Sequence, residues 1–273
     1  MTGTPGSTSS MTGLISSRSN DLAKRMRKFR RRSYRDENGL FLVEGVSLLH
    51  EAVGAGVTIG ELVFVTSRSG DADLVRSMQD KDVSSFEVSD QLMDWISGVV
   101  TSQGIIGVME QVDVSFSEID GDELSLLLIA DQVRDPGNLG ALMRIADAAG
   151  TDGFLMTPGC ADMYNPKVVR SAAGAHFHLP CVRNMEAPEI RRALDGLGAM
   201  MLGLDPRGET CYLEADLTGP CAVVVGNEAF GIAEEDRVLL DGTVYIEMPG
   251  RAESINVASA AAVVLFEAIR QRG

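Results

Sequence analysis

From Leu124 to Ala130 the chain reads Leu-Ser-Leu-Leu-Leu-Ile-Ala, an apolar run of strand length with almost no polar alternation. A strand of this kind must be covered on both faces, because neither face offers the polar side chains that water requires. The run opens a series in which short apolar strands and helical stretches take turns. Further strands are predicted at Gly153–Met156, Leu179–Val182, Ala199–Leu204, Ala222–Val225 and Val244–Met248. Helices are predicted from about Asn138 to Ala149, from Asn165-Pro166 onward, where proline suits the first helical position, and from about Asn256 to Arg270. The alternation predicts a mostly parallel sheet with helices on both faces, in which ligands sit at the carboxyl ends of the strands.

A smaller α/β series precedes it. Phe41–Glu44, Glu61–Val65, Ser84–Val88 and Gly104–Glu110 read as strands. Helical stretches carry Val46, Leu49, Ala52 and Val53 on one side, span Asp71–Gln79, and lie near Asp90–Ile96. The acidic stretch Asp113–Asp122 has no helical period and reads as a linker. The predicted organisation is a flexible Ser/Thr/Gly-rich tail over 1–17, an N-terminal domain over 18–112, a linker over 113–122 and a second domain over 123–273. Met1-Thr2-Gly3 recurs at Met11-Thr12-Gly13, which leaves Met11 as an alternative start.

The formal net charge of −15 argues against a nucleic-acid partner when averaged over the 273 residues. The distribution reverses that inference. The first 35 residues hold nine cations and one acid, for +8, and the remaining 238 hold 15 cations and 38 acids, for −23. A basic segment on an acidic body aims one face at phosphates, and Lys24, Arg25, Arg27, Lys28, Arg30, Arg31 and Arg32 are the candidate contacts. Leu22, Met26 and Phe29 recur at near-helical spacing, so one helix can bury that stripe and still present its cations. Apolar runs fall short of a membrane span, and the N-terminus lacks the apolar core of a secretory signal, so a cytoplasmic protein is expected. Cys160, Cys181, Cys211 and Cys221 lie far apart without Cys-x-x-Cys spacing and read as isolated thiols, with no structural metal. His50, His176 and His178 form no triad with a serine motif, which disfavours a hydrolase.

Three loops that follow predicted strands carry the chemistry. The first is Asp135-Pro136-Gly137-Asn138-Leu139-Gly140, where Asn138 suits a helix N-cap and Gly140 permits a close backbone approach. Arg144 follows Asn138 by about 1.7 helical turns, from where its guanidinium can point toward the strand ends as a phosphate fork. The second is Gly226-Asn227-Glu228-Ala229-Phe230-Gly231, two glycines bracketing a carboxylate; it is not the dinucleotide-binding glycine fingerprint. The third runs from Ile246 through Met248-Pro249 to Ser254-Ile255-Asn256-Val257, where Ser254 and Asn256 can cap a helix or face a ligand.

In this order and spacing, the three loops resemble the signature of the SpoU (TrmH) family of SPOUT RNA 2′-O-ribose methyltransferases. Asn165 through Ala175 is similar to the family's segment between its first two motifs, and Ser19-Asn20 with Phe41–Gly45 resembles the N-terminal substrate-binding domain of many members. The likeness covers nearly all of residues 16–273, with Ile255 standing where leucine is usual and Asn227 where serine is commoner. It implies a C-terminal parallel α/β sheet threaded into a trefoil knot, and a smaller N-terminal RNA-binding α/β domain resembling a ribosomal-protein fold. It implies S-adenosylmethionine as methyl donor, with Leu204, Gly226, Glu228, Ile246, Met248, Ser254, Asn256 and Val257 at its site. Arg144, Asn138, Ser254 and Asn256 become the implied catalytic residues, and Lys167 and Arg170 further RNA contacts. It also implies a homodimer in which the arginine of the first motif reaches the partner subunit's cofactor. The expected substrate is 23S ribosomal RNA; the alternatives are transfer RNA, or a non-catalytic RNA-binding or ribosome-assembly factor of the same fold.

Overall fold

Residues 13–99, 101–119 and 124–273 are described by the computed structural model of the chain. They separate into two units, the first ending at Gln111 and the second beginning at Val112. The expectations for residues 1–12, including the alternative start at Met11, and for 120–122 fall outside the described residues.

In the first unit, Asn20 caps helix α1 (Asp21–Lys28) by accepting the Leu22 N–H at 2.9 Å. Of the predicted stripe, Met26 and, just beyond the helix, Phe29 are buried, while Leu22 is half-buried; Ala23 is buried beside them. Then follow α2 (Arg32–Asn38), β1 (Leu40–Glu44), α3 (Val46–Gly54), β2 (Ile59–Phe64), α4 (Ala72–Asp80), β3 (Ser84–Glu87), α5 (Asp90–Ser97) and β4 (Ile105–Glu110). The strands form a sheet in the order β1-β4-β2-β3, antiparallel on both sides of β4 and parallel between β2 and β3. The α1 stripe packs with Leu92, Met93 and Ile96 of α5 and with Val63, Ile106 and Val108 of the sheet. The predicted flexible tail ends earlier than residue 17. Ile15 N donates to Glu87 O at 3.0 Å and Ile15 O accepts from Ser89 N at 2.9 Å, so a single apolar residue pairs beside β3.

The second unit begins at Val112 and takes in the described part of the segment predicted to be a linker. Val114 N donates to Cys181 O at 2.9 Å, and the Asp113 carboxylate accepts from Arg183 at 2.7 Å. Ser115 and Glu118 cap each other's turn reciprocally around a single 3-10 turn, Phe116–Glu118. A capping box needs no helical period, which is why the acidic stretch reads as unstructured. The remaining elements are β5 (Leu126–Ala130), α6 (Pro136–Ala148), β6 (Gly153–Met156), α7 (Pro166–Ala172), β7 (Cys181–Arg183), α8 (Ala187–Leu197), β8 (Met200–Leu204), β9 (Thr210–Cys211), β10 (Cys221–Val225), α9 (Glu234–Arg237), β11 (Gly242–Tyr245) and α10 (Val257–Arg272). The seven strands lie in the order β7-β6-β5-β10-β8-β11-β9, and every pairing is parallel. Leu127 and Ile129 of β5, Ala222 and Val224 of β10, and Ile190 and Leu194 of α8 form one core. α6 packs on α7 and α10, and α10 also lies on β10.

The sheet order reverses between β5 and β10, which carry the chain outward in opposite directions. Such a switch point opens a crevice at the strand ends. The last predicted strand stops at Tyr245, so Ile246–Met248 belong to the loop that enters this crevice. Among the described residues no helix is long and apolar enough to cross a membrane, and no group of three or more metal-ligating side chains forms.

Candidate active site

The loops after β8, β10 and β11 and the start of α6 meet around one cleft of about 380 Å³. Leu204, Gly226, Glu228, Ile246, Met248, Ser254, Asn256 and Val257 all line it, as does Asn138. Gly226 is sterically fixed: a Cβ there would stand 2.2 Å from the Gly231 carbonyl carbon and the Ile232 nitrogen. The chain therefore folds back against its own backbone immediately after β10.

Helix α6 is capped by Asp135, not Asn138. The Asp135 carboxylate accepts the Asn138 N–H at 2.9 Å, and Pro136 occupies the first helical position. Proline at that position leaves the preceding residue to cap. That hydrogen bond first, aided by Gly137 N–H and Lys167, outweighs burial and holds the Asp135 carboxyl below its ordinary range.

With the cap supplied by Asp135, the Asn138 side chain is free for the cleft. Its Nδ2 donates to Glu228 Oε1 at 3.0 Å, and its Oδ1 accepts from Asn256 Nδ2 at 2.8 Å. Asn256 caps α10, its Oδ1 accepting the Ala258 N–H at 2.9 Å. Glu228 also accepts the backbone N–H groups of Asp135 at 3.1 Å and Arg134 at 3.4 Å. Burial pushes the Glu228 carboxyl up, but the hydrogen bonds from Asn138 and these amides prevail, so it lies below its ordinary value. One residue from each predicted loop thus enters a single chain, Glu228–Asn138–Asn256.

Asn227 organises the β10–α9 loop. Its Nδ2 donates to Gln132 O at 2.9 Å, and its Oδ1 accepts from Ala229 N at 3.0 Å and Phe230 N at 3.3 Å. Its backbone exchanges two hydrogen bonds with Gly231, at 2.9 and 2.8 Å. Farther along, Ala233 N donates at 3.0 Å to Asp131, a buried carboxylate that also accepts from Thr157 Oγ1 at 2.9 Å. Asp236, hydrogen-bonded to Asp131, is pushed up to about 6, first by burial and then by the charges of Asp131 and Glu235. In contrast, residues 246–255 make no hydrogen bond with other described residues. Of these residues Ile246, Met248, Ser254 and Ile255 line the cleft, and their peptide groups remain available to whatever enters it.

Arg144 is not brought into the cleft of its own chain. It stands exposed on α6, without a hydrogen-bond or ion-pair partner among the described residues. Lys167 pairs with Asp135 at 3.4 Å, and Arg170 is exposed on α7. Sequence spacing also missed cleft residues. Arg237 pairs with Asp205 at the cleft wall, and Arg207 and Phe230 line the cleft beside them. Phe230 lies inside the second motif, where its exposure was the missing information; nothing in the local pattern marks Arg237.

In the first unit the basic segment divides into two sets. Arg25 pairs with Glu61 at 2.6 Å, and Arg27 donates to Trp95 O while its guanidinium lies 5.0 Å from the Trp95 ring centroid. Arg35 is buried and donates to Phe29 O. Lys24, Lys28, Arg30, Arg31 and Arg32 remain exposed, Lys28 with its ammonium 5.6 Å from the Tyr34 ring.

A model of the SpoU rRNA methylase family matches residues 125–266, and a model of an MRM3-like substrate binding domain matches residues 20–107. The chain is 34% identical over 250 residues to the 23S rRNA (uridine(2479)-2′-O)-methyltransferase of Streptomyces viridochromogenes, covering 88% of this chain and 86% of that one. It is 31% identical over 255 residues to the 23S rRNA (guanosine(2553)-2′-O)-methyltransferase of Bacillus subtilis (strain 168), covering 92% and 97%. The crystal structure of the SpoU methyltransferase AviRb from Streptomyces viridochromogenes in complex with AdoMet matches with a TM-score of 0.82 at 30% identity, over 93% of this chain and 98% of that chain.

Proposed function

The chain belongs to the SpoU rRNA methylase family, and from that premise we propose that it transfers a methyl group from S-adenosylmethionine to a ribose 2′-hydroxyl of 23S ribosomal RNA in the cytoplasm. The observation that carries this reading is the convergence of three distant loops, through Glu228, Asn138 and Asn256, on one cleft at the carboxyl ends of parallel strands. The homologues named as 23S rRNA methyltransferases favour ribosomal over transfer RNA.

The residues present fit the donor. Leu204, Val225, Ile246, Met248 and Val257 offer apolar walls, while Ser254, Asn256 and the uncommitted peptide groups of Ile246, Met248, Ser254 and Ile255 offer polar partners. When bound, S-adenosylmethionine supplies an activated methyl group on a sulfonium centre. The protein's part is then mainly positioning. Glu228 clamps the start of α6 through two amides and Asn138, and Asn138 in turn holds Asn256, so the walls of the cleft are fixed relative to one another. Gly226 packs on Gly231 within its own turn and Gly208 on the backbone of Val244, so neither position admits a side chain; the trefoil-knotted path of these loops is proposed from the family likeness alone.

Arg144 cannot serve as a literal base, because a guanidinium stays protonated in proteins. Its role in this reading is to hold the adjoining phosphate and stabilise the developing alkoxide. It does so at a partner subunit's cleft. α6 packs on α10, which leaves Phe266 50% exposed with Ile269 beside it in sequence register, an apolar face suited to a second copy.

The test is a map of ribose methylation across ribosomal and transfer RNA from cells with and without the chain. Loss of one methyl group in 23S rRNA is the expected result; an unchanged map refutes the reading. Arg144→Ala should abolish turnover while calorimetric binding of S-adenosylmethionine is retained. Equal loss of both would contradict the division of roles.

A further inference from the structure

We propose that Phe230 is a base-stacking contact for the RNA substrate, with Arg207 a phosphate contact of the same cleft. The proposal rests on the RNA reading above and adds to it the residue that receives a nucleobase. Phe230 is 85% exposed, the highest value among the large hydrophobics of the described residues, and it lines the cleft that holds Glu228, Ser254 and Asn256. An isolated apolar side chain on a surface calls for no explanation. This one differs because it stands on the wall of the functional cleft and its loop is braced. Asn227 accepts the Phe230 N–H, bonds across to Gln132 O and pairs with Gly231 on both backbone groups. The ring is therefore presented on a preorganised turn, which lowers the entropy lost when a ligand stacks on it.

The chemistry of the cleft selects the occupant. A flat π-face is complementary to any nucleobase, and single-stranded RNA is recognised mainly by stacking bases on aromatic side chains. Where a nucleotide leaves the stack to present its ribose 2′-hydroxyl to the cleft, the freed base needs a new surface. Arg207 is exposed on the loop after β8; its charge, like that of Arg237, acts on Asp205, but among the described residues its guanidinium makes no hydrogen bond or ion pair. Arg237, the other cleft arginine, is already paired with Asp205. Arg207 is thus the cation available to the phosphate of the nucleotide whose base Phe230 receives.

The experiment compares Phe230→Ala, Phe230→Leu and Phe230→Trp with the unaltered full-length protein, using ribosomal RNA as the probe. Phe230→Ala should raise KM for RNA by about fivefold to about a hundredfold, the range set by loss of one base–aromatic stack. The sedimentation behaviour should not change. Phe230→Trp should restore the RNA affinity and Phe230→Leu should not, because leucine keeps the apolar area without the π-face. The natural chain has one tryptophan, Trp95, so emission added by Phe230→Trp can be followed directly. RNA should quench that added emission beyond the change seen in the unaltered protein. Full rescue by leucine, unquenched emission from the Phe230→Trp variant, or an altered oligomeric state in Phe230→Ala would each overturn the proposal, the last by showing a protein contact. The quenching requires no turnover. If the unaltered protein methylates no RNA, the catalytic reading fails; if it methylates RNA and the quenching is absent, only the role of Phe230 fails.

Discussion

Asn138 has one possible orientation, and its neighbours dictate it. The Ala258 N–H can only donate, so Asn256 must turn its oxygen toward it and its amide nitrogen toward Asn138. Asn138 then faces Asn256 with its oxygen, which leaves its nitrogen for the Glu228 carboxylate. The substitution Asn138→Ala removes a hydrogen bond to an ionised group in a solvent-accessible site and should weaken S-adenosylmethionine binding by about tenfold. Asn138→Asp is nearly isosteric, but it sets a second carboxylate against Glu228 and offers Glu228 no donor. Its loss should be about tenfold greater again. The sign with pH follows from the repulsion: acidification lets the two carboxyls share a proton, so the Asp variant should recover toward the Ala variant at about pH 5 and separate from it at about pH 8. Calorimetric titration at both values reads the effect. A constant ratio would show that Glu228 is not the group the aspartate meets.

At the scale of elements, α6 shows how much of this fold was legible in the chain and where legibility stopped. Its helix is evident from spacing, and so is its place after a buried strand. The cap is not Asn138 although the signal for the true one is present, since Pro136 at the first position points to Asp135. α8 is absent from the predicted helices although Ala187, Ile190 and Leu194 repeat at helical intervals and are all buried. Gly140 is a different matter. Its sequence context implies room for a close approach, yet the approach is made by α7: a Cβ would lie 2.5 Å from Ser171 Cβ and 2.7 Å from Val168 O. Helix packing of this kind depends on which helices become neighbours, and local pattern does not encode that. The opposing effects have comparable size, which makes the substitution informative. Gly140→Ala gains about 1 kcal/mol of helix propensity and loses about 1–3 kcal/mol through overpacking against backbone that cannot yield. The expected outcome in urea unfolding is a net loss of up to about 2 kcal/mol. A stabilised variant would mean that α6 and α7 can separate without cost.

For the whole molecule, the same limit appears as topology. Asn138 lies 90 residues from Glu228 and 118 from Asn256, and they meet only because β10 inserts between β5 and β8. The order of the three loops was readable, whereas the interleaving that joins them was not. The charge distribution was readable as a total of +8 over the first 35 residues, but not how much of it is already used within the fold. Arg25, Arg27 and Arg35 are committed to Glu61, Trp95 and Phe29, while Lys24, Arg30 and Arg31 lie on the outside. The two groups should therefore behave differently. Replacing Lys24, Arg30 and Arg31 by glutamine should leave thermal stability nearly unchanged. It should also flatten the dependence of log affinity on log salt by about 0.7 for each phosphate that is no longer neutralised on single-stranded RNA. Arg35→Gln should instead lower the melting temperature, because it withdraws a buried charged hydrogen bond from the Phe29 carbonyl. Fluorescence-anisotropy titrations across a salt series, paired with thermal unfolding of the same variants, separate the two effects. An unchanged salt slope in the triple variant would show that α1 and the turn after it do not meet RNA, and the capture of phosphate would then have to be assigned to the cations of the second unit.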